Sequence, residues 1–506
     1  MSTTHQSTIR LRPDDPIAVA TDKLAAGTDI DGVTLNKAIP RGHKFALEAI
    51  ASGEPVRKYG QIIGFAKEDI APGDHVHTHN LAFGSADRLP PLPQVAKGSA
   101  HPEDQEKRWL GYRRADGRVG TRNFIGVLTS VNCSATVAHL IASEAEKRGI
   151  FADLPNVDGV IGLSHGTGCG MADRGEPFQR LERTLWGTAT NPNFGGVLMV
   201  GLGCEVFQLP RLRKTYGIPE DAPFKSMTIQ ESGGTIATVE AGLRAVRELA
   251  LRANTVARSD APISALRLAL QCGGSDGFSG ITANPALGVA SDRIVAAGGT
   301  TVLAETPEIY GAEHMLMARA VDDATREKLT GQIDWWEKYT AMHGVTLDAN
   351  PSPGNIAGGI TTILEKSLGA VAKGGSAPLA GVLNYSEPID RGGFLFMDSP
   401  GYDPCSVTGQ IASGCNIVAF TTGRGSAFGS RPSPSIKLST TSDLYSRMSD
   451  DVDVDCGTVL DGQTLDQVGG EILDCLLRVS SGEKSKSETH DYGRHEFVPW
   501  QIGAVL

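Results

Sequence analysis

From Trp109 onward the sequence repeats one pattern: an apolar run, a glycine-containing loop, and a segment with apolar residues at helical spacing. The apolar runs, with the loops that follow some of them, are FIGVLTSV, GVIGLSHGTGCG and GVLMVGLGCE, and then, after Ala261, LRLAL, TTVLAE, LAGVLNY, GFLFMD and NIVAFTT. Continuous apolar strands that alternate with helices indicate parallel sheets covered on both faces. The pattern therefore predicts an α/β protein.

The first residues follow a different pattern. In residues 8–88 short apolar runs alternate with Gly and Pro, as in IPRGHKFAL and IAPGDHVHTHNL, which predicts a small β-rich domain. Residues 89–107 combine Pro, Gly and charge without periodicity, which is typical of a linker. The sequence thus predicts a first α/β domain at 108–258 and a second at 259–506.

Composition narrows the class of protein. The 506 residues are 40% apolar and 21% charged, and the formal net charge of −11 includes no basic block, so we expect no nucleic-acid partner. No stretch approaches the roughly 18 apolar residues of a membrane span, so we expect no membrane association. The N-terminus shows no signal pattern and the eight cysteines lack paired short spacings, which predicts free thiols in a reducing cytoplasm. A homo-oligomer is left open.

Polar and thiol side chains follow the strands of both predicted α/β domains. In parallel sheets ligands bind beyond the carboxyl ends of the strands, and this rule selects Asn132, Cys133, His165, Cys169, Cys204, Glu205, Cys272 and Asp276. Among these, His165 lies in a glycine-rich loop and is a candidate general acid or base, because an imidazole titrates near neutrality. For Cys169 the alternative is a buried structural thiol. For Glu205 we consider a metal or hydroxyl ligand, or an arginine partner.

Four residues are candidates for binding an anionic, hydroxylated ligand. The loop QCGGSDGFSGITANP offers Asp276 and Ser279 as a polyol cradle, with a plain connection as the alternative. Arg424, flanked by glycines, is a candidate for a bidentate grip on a carboxylate. Lys366 is a candidate cation for the same group, although solvated lysines are more common.

The segment GDHVHTHNL places His75, His77 and His79 at alternate positions. On a strand these side chains share one face, with about 7 Å between successive ones. Three imidazoles on one face suit Fe, Mn or Zn better than Mg or Ca, and His43 in RGHKFA is an additional candidate ligand. The alternative is a solvent-facing strand whose histidines are merely exposed.

Several stretches resemble one enzyme family. They are GTRNFIGVLTSVNCSAT, HGTGCGM, GLGCE, QCGGSDGFSGITANPALG, ETPEIYGAEH, MDSPGYDPCSVTGQIASGCN and, in the front region, RGHKFAL, KYGQIIG and GDHVHTHNL. Over residues 10–506 the chain resembles the altronate/galactarate dehydratase family. The resemblance implies a β-clip SAF domain followed by two Rossmann-like α/β domains. It also implies dehydration of a hexonate or aldarate to a 2-keto-3-deoxy acid with Fe(II), or with Mn(II), as the divalent cation.

The resemblance also maps His43, His77 and His79 onto the SAF histidines of the family. His165, Cys169 and Glu205 map onto its central motifs. From both lines of reasoning we predict three sets of residues: metal ligands His43, His77, His79 and Glu205; catalytic residues His165, Lys366 and Cys169; and substrate-binding residues Asn132, Asp276, Ser279 and Arg424. We expect His165 or Lys366 to take the C2 proton of an altronate-like substrate.

Other functions remain open from the sequence. Within the family, the substrate is galactarate or another aldarate, or the reaction is the elimination of sulfite from a sulfonated hydroxy acid. A different cofactor is an iron–sulfur cluster held by Cys133, Cys169 and Cys204 at successive strand ends. From another class, the chain is a sugar-acid-binding protein without catalysis.

Overall fold

The computed structural model describes residues 7–84 and 101–506. Residues 89–100 of the predicted linker lie outside the described residues, and a short 3-10 helix at Pro102–Gln105 follows. Within the described ranges, no helix combines the length and the apolar character that crossing a membrane requires. The secondary structure falls into a front region, a middle region and a C-terminal region.

The front region consists of short antiparallel strands. They are β1 (Thr8–Ile9), β2 (Ile17–Ala20), β3 (Asp29–Ile30), β4 (Val33–Thr34), β5 (Lys44–Ala46), β6 (Pro55–Lys58), β7 (Gln61–Ala66), β8 (His75–Val76) and β9 (Leu81–Ala82). They form a four-stranded sheet of order β1-β2-β5-β8, a three-stranded sheet of order β6-β7-β9 and the pair β3-β4. The prediction of a β-rich N-terminal region is confirmed.

The middle region contains a parallel sheet with helices on both faces. Its elements are β10 (Arg108–Arg113), β11 (Val119–Gly120), β12 (Phe124–Thr129), α1 (Ala135–Lys147), β13 (Gly159–Leu163), α2 (Glu176–Ala189), β14 (Phe194–Gly201), α3 (Leu209–Thr215), β15 (Phe224–Thr228), α4 (Thr235–Ala253) and β16 (Arg258–Pro262). The parallel order is β13-β12-β14-β15, and β11-β10-β16 form a separate antiparallel sheet. One apolar cluster packs α1 and α4 on this parallel sheet, and another packs α2 and α3 on its opposite face.

The C-terminal region is built on a seven-stranded parallel sheet of order β19-β20-β18-β17-β21-β22-β23. Its elements are β17 (Arg267–Cys272), α5 (Ala283–Ala296), β18 (Thr300–Ala304), α6 (Glu313–Met317), α7 (Asp323–Met342), α8 (Pro353–Ala357), α9 (Ile363–Val371), β19 (Leu379–Leu383), β20 (Gly393–Met397), α10 (Asp403–Ser413), β21 (Ile417–Thr422), β22 (Ser435–Ser439), α11 (Ser442–Arg447), β23 (Val454–Asp455), α12 (Leu465–Ser480) and α13 (Lys486–Thr489). Apolar clusters cover both of its faces, so the prediction of an α/β protein with parallel sheets is confirmed.

The middle and C-terminal regions pack directly against each other. Helices α2 and α10 approach so closely at Gly187 that an added Cβ would lie 2.2 Å from the carbonyl oxygen of Ala412. Nearby, the Asn193 side chain donates to the carbonyl oxygen of Asn416 at 3.0 Å and to Ser433 Oγ at 3.1 Å. Glycine at position 187 therefore permits a contact that any larger side chain would prevent.

Candidate active site

The carboxyl ends of the neighbouring strands β17 and β18 carry a group of ionisable side chains. We call it the acid–lysine cluster, and its members are Cys272, Glu305, Glu308, Lys366, Lys373 and Asp403. One ligand atom each of Cys272, Glu305 and Glu308 lie within 4.8 Å of one another, and all three residues are buried. Asp403 belongs to the same group, because a Cβ added to Gly273 just after β17 would lie 2.3 Å from its Oδ2.

Glu305 is the unusual member of the cluster. Both of its carboxylate oxygens are buried, and neither has a hydrogen-bond partner among the described residues. Its backbone is left-handed, with φ at 77°, a conformation that costs a non-glycine residue about 1–3 kcal/mol and is concentrated at functional sites. Burial, together with the charge of Glu308, raises the pKa of Glu305 well above its usual range. Glu305 therefore keeps its proton at pH values where an ordinary glutamate has already lost it.

A second carboxyl group of the cluster has a perturbed pKa. Burial and the charge of Glu308 raise the pKa of Asp403 to about 7. Burial opposes ionisation of Glu308 as well, but Lys366 and Lys373 offset this and lower its pKa. The cluster thus combines one carboxylate whose pKa is lowered, Glu308, with two carboxyl groups whose pKa values are raised, Glu305 and Asp403.

Both lysines of the cluster are held as cations. Lys366 Nζ donates to Glu308 Oε1 at 2.6 Å and to Asn350 Oδ1 at 2.7 Å. Lys373 Nζ lies 2.8 Å from the sulfur of Cys272. Burial opposes the charge on Lys366, but the charge of Glu308 raises its pKa above the ordinary value. A lysine that keeps its proton stabilises negative charge, and its raised pKa disfavours the predicted role of Lys366 as the base.

The histidines of the front region form a second group. Strand β8 ends at Val76, and His77 begins a turn. In this turn the backbone N–H of Asn80 donates to the carbonyl oxygen of His77 at 3.0 Å. The predicted alternation along one strand is therefore wrong in its geometry. The turn nevertheless gathers one ring nitrogen each of His43, His75 and His77 within 4.8 Å of one another, and we call these residues the histidine trio. The His79 ring lies beside them, with its centroid 5.5 Å from that of His75.

The histidine trio is neutral at physiological pH. Burial, followed by repulsion from the neighbouring imidazoles, lowers the pKa of His75 to about 3. Burial and the charge of Lys44 lower that of His77 to about 4. His77 Nδ1 is buried without a hydrogen-bond partner among the described residues. Neutral imidazoles, one of which has an unused nitrogen, fit a divalent cation such as Fe(II).

A buried ionic network attaches the front region to the C-terminal region. Lys44 Nζ donates to Glu365 Oε2 at 2.8 Å, and Lys58 Nζ donates to Glu365 Oε1 at 2.9 Å. Thr361 adds a backbone amide and a hydroxyl, at 2.9 and 2.8 Å, to the same carboxylate. Burial alone would raise the pKa of Glu365, but the two lysines hold it far below its usual range. This network fixes the front region over the strand ends that carry the acid–lysine cluster.

Two cavities lie near these groups. A small one of about 10 Å³ has Lys58 and Tyr59 of the front region on one side and Cys272 and Lys366 on the other. A cleft of about 590 Å³ lies between the middle and C-terminal regions, lined by Asn132, Ser164, His165, Gly166, Pro400, Tyr402, Cys405 and residues 497–501. Cavities of roughly 300–1,000 Å³ suit small-molecule ligands, so the cleft has room for a sugar acid.

Comparison with known proteins identifies the chain. Three family profiles match it: the altronate/galactarate dehydratase SAF domain at residues 6–84, the second domain of D-galactarate dehydratase/altronate hydrolase at 111–254, and the C-terminal domain of D-galactarate/altronate dehydratase at 263–505. Altronate dehydratase of Escherichia coli (strain K12) is 38% identical over 504 residues, covering 98% of this chain and 99% of that protein. The chain belongs to the altronate/galactarate dehydratase family.

Other members of the family agree with this assignment. Altronate dehydratase of Bacillus subtilis (strain 168) is 34% identical over 507 residues, covering 99% of this chain and 100% of that protein. Galactarate dehydratase (L-threo-forming) of E. coli (strain K12) is 36% identical over 498 residues, covering 96% of this chain and 95% of that protein. As a member of the altronate/galactarate dehydratase family the chain is a hydro-lyase, and its front region is the SAF domain.

Two predicted residues of the middle region, Asn132 and His165, line the cleft rather than the acid–lysine cluster. His165 is buried, and its ring nitrogens contact the Thr129 carbonyl oxygen at 3.0 Å and the Thr167 amide at 3.3 Å. Burial lowers the pKa of His165 to about 4. The Asn132 side chain donates to the His165 carbonyl oxygen at 3.1 Å. Cys169 is exposed at the edge of the sheet. Because the backbone occupies both nitrogens of His165, its imidazole lines the cleft in a fixed orientation.

The remaining predicted residues have other partners. Glu205 accepts hydrogen bonds from Ser130 Oγ and the Gly203 amide, both at 2.6 Å, at the end of β14, so the structure does not group it with the histidine trio. Asp276 accepts from the Phe278 amide and from Thr440 Oγ1, both at 3.0 Å, and Ser279 Oγ lies 3.2 Å from its Oδ1. These bonds use the groups that were predicted to cradle a polyol. Arg424 is exposed beside Gly274.

Glu305 and Glu308 are members of the cluster that the sequence did not predict as site residues. The signal was present in AETPEIYGAEH, where the acidic residues follow an apolar strand. Their special environment depends on Lys366 and Lys373, which come from a segment some 60 residues further along the chain. The pairing of Lys44 and Lys58 with Glu365 left no signal, because isolated charged residues usually face solvent.

Proposed function

We propose that the chain dehydrates a sugar acid, an altronate-like hexonate, to a 2-keto-3-deoxy sugar acid. The observation that carries this proposal is the buried, unpaired carboxylate of Glu305 beside the Lys366 and Lys373 cations. The names of the E. coli and B. subtilis relatives support altronate as the substrate, and galactarate is the nearest alternative.

Two barriers dominate such a dehydration. The proton at C2 is weakly acidic because it lies beside a carboxylate, and hydroxide at C3 is a poor leaving group. In our proposal the Glu305 carboxylate takes the C2 proton, and Asp403 donates a proton to the departing C3 oxygen. Lys366 and Lys373 stabilise the extra negative charge of the enediolate that forms in between. The enol product then tautomerises to the 2-keto acid.

The cleft between the middle and C-terminal regions supports a binding place for the substrate. Pro400 and Tyr402 form part of the cleft wall. Gly401, between them, packs on the Glu308 side chain, since a Cβ added to Gly401 would lie 3.2 Å from Glu308 Cγ. We propose that the sugar acid enters through this cleft, where Asn132, whose side chain donates to the His165 carbonyl oxygen, contacts its hydroxyl groups. His165 is then a positioning residue, while the proton transfers belong to the carboxyl groups.

We propose that the histidine trio holds the divalent cation, Fe(II) or alternatively Mn(II). The neutral rings and the unused His77 Nδ1 support this assignment. The acid–lysine cluster fits a cation less well, because two ammonium groups already neutralise it. When bound, such a cation supplies Lewis-acid stabilisation of a substrate carboxylate.

We also propose that the two parallel sheets are the cores of two Rossmann-like domains at 108–258 and 259–506, behind the SAF domain at 8–88. The helical layers on both faces of each sheet support this division. The boundary at 258 lies inside β16, which pairs with β10, so those two strands join the domains.

The proposed function is tested by a screen of hexonates and aldarates for 2-keto-3-deoxy acid formation, with and without a chelator. We expect turnover of altronate above that of galactarate, and loss of turnover after chelation. Sulfite release from a sulfonated hydroxy acid without any dehydration would replace the proposal by a sulfo-lyase activity. Saturable binding of the acids without turnover, in anaerobic Fe(II) or Mn(II), would replace it by a binding function.

Removing a ligand of the histidine trio is expected to weaken metal binding. For His77→Ala we expect a loss of Fe(II) or Mn(II) affinity of at least about 10–100-fold, since even outer-shell changes at metal sites cost that much. Isothermal titration of the metal-free protein measures the affinity directly. His343→Ala serves as the matched control, because His343 is exposed at the end of α7. Unchanged affinity in His77→Ala would remove the trio as the metal site.

A further inference from the structure

Three cysteines outside both clusters lie on one edge of the middle region. Cys133, Cys169 and Cys204 are exposed, whereas the other five cysteines are buried. They follow β12, β13 and β14, which are adjacent in the sheet order β13-β12-β14. Adjacent strands are about 4.8 Å apart, so three neighbouring loops each present one thiol at the same edge.

The register of these strands places the thiols at similar heights. Leu128 of β12 is opposite Leu163 of β13 and Met199 of β14. Cys133 comes five residues after Leu128, and Cys204 five residues after Met199. Cys169 comes six residues after Leu163. The thiols therefore leave the sheet at nearly the same level, where parallel sheets bind their ligands.

Hydrogen bonds join the three loops. The Asn132 amide donates to the Thr167 carbonyl oxygen at 3.0 Å, and the Phe207 amide donates to the Gly168 carbonyl oxygen at 3.0 Å. A Cβ on Gly168, whose φ is 100°, would lie 2.1 Å from the Ser130 carbonyl oxygen. These contacts fix the loop that carries Cys169 between the other two, so the thiols are held by a rigid scaffold.

The spacing of the sulfurs distinguishes a cluster from a single ion. Thiolates that share one zinc ion bind it at about 2.3 Å, so their sulfurs lie within about 4.6 Å of one another. The three sulfurs here do not all lie within 4.8 Å of one another. One zinc ion shared by all three thiolates is therefore excluded, whereas in a cubane cluster each thiolate binds a different iron and the sulfurs lie further apart than in a zinc site.

We propose that Cys133, Cys169 and Cys204 hold a [4Fe–4S] cluster, each thiol giving up its proton when its sulfur binds iron. No other exposed cysteine is available for the fourth iron, because the remaining five cysteines are buried. Asn132 and Gly166, in two of the same loops, line the 590 Å³ cleft. An iron without a thiolate accepts a hydroxyl or carboxylate oxygen, so the cluster would bind the sugar acid there. This assignment rests on the proposed function and adds a second metal site to it.

The test uses the full-length protein, purified without oxygen and reconstituted with equal amounts of Fe(II) and Fe(III) and with sulfide, the composition of the [4Fe–4S]2+ state. We expect about four acid-labile sulfide ions per chain and a broad visible absorption, which are signatures of a cubane cluster. Each of Cys133→Ser, Cys169→Ser and Cys204→Ser should lose both signals, while circular dichroism shows a native fold. Cys475→Ser, in the buried core of α12, should keep them.

Sulfide and activity measurements separate the two proposals. Iron or zinc bound without sulfide, or a cluster that survives in the three serine variants, would overturn the cluster. Sugar-acid dehydration by sulfide-free protein at the rate of the reconstituted protein would also overturn it, while leaving the proposed function intact. A protein that contains the cluster but dehydrates none of the hexonates or aldarates would instead overturn the proposed function.

Discussion

Glu305→Gln is expected to lower kcat about 10²–10⁴-fold, the contribution of a positioned acid–base group, with a smaller change in KM. The amide has the same shape as the carboxyl group but accepts no proton from C2. The variant should fold as well as the wild type or better, because the buried carboxylate has no hydrogen-bond partner among the described residues. Steady-state kinetics on the turned-over sugar acid, together with thermal unfolding, measure both effects.

A matched control and a pH profile sharpen this prediction. Glu220→Gln changes an exposed glutamate and should leave kcat unchanged. For the wild type we expect a bell-shaped profile, because one of the coupled carboxyl groups Glu305 and Asp403 has to be ionised while the other holds a proton. Asp403→Asn should remove one limb of the bell. A Glu305→Gln enzyme with wild-type kcat would exclude Glu305 as the base.

Glu365→Gln is expected to destabilise the docked SAF domain by about 3–5 kcal/mol, the cost of leaving buried charges without their partner. The Lys44, Lys58 and Glu365 side chains are at most 2% exposed, so solvent does not screen the loss. The amide still accepts hydrogen bonds but leaves two ammonium groups uncompensated. Differential scanning calorimetry should show a lower first transition, and limited proteolysis should cleave the SAF domain sooner.

A charge-free variant provides the control for the network. Replacing Lys44 and Lys58 by Met and Glu365 by Leu removes all three charges, and we expect this variant to recover most of the stability.

The stability of the docked SAF domain is expected to depend on pH with a definite sign. Because the pKa of Glu365 is lower in the folded protein than the ordinary 4.5, its stabilisation is complete above pH 4.5 and is lost as the pH falls below that value. If the first unfolding transition of Glu365→Gln occurred at the wild-type temperature, docking of the SAF domain would depend on other contacts.

Part of the fold was predictable from local pattern. The runs around FIGVLTSV and LRLAL form β12 and β17 with helices after them, because continuous apolar strands are stable only between two helical layers. The pairing of β10 with β16 left no comparable signal, because it joins residues far apart in the chain. The turn at His77 was also missed, since alternation of histidines describes spacing but not where β8 ends.

The sequence by itself determined the fold class, the family and the placement of chemically active residues after strands, because these follow from local periodicity and motif. Only the tertiary structure decided which of those residues act together. Lys366 and Glu308 meet across 58 positions of the chain, and Lys44 and Glu365 meet across 321. The protonation of Glu305 depends on burial and on neighbouring charge, and both arise only when distant segments pack together.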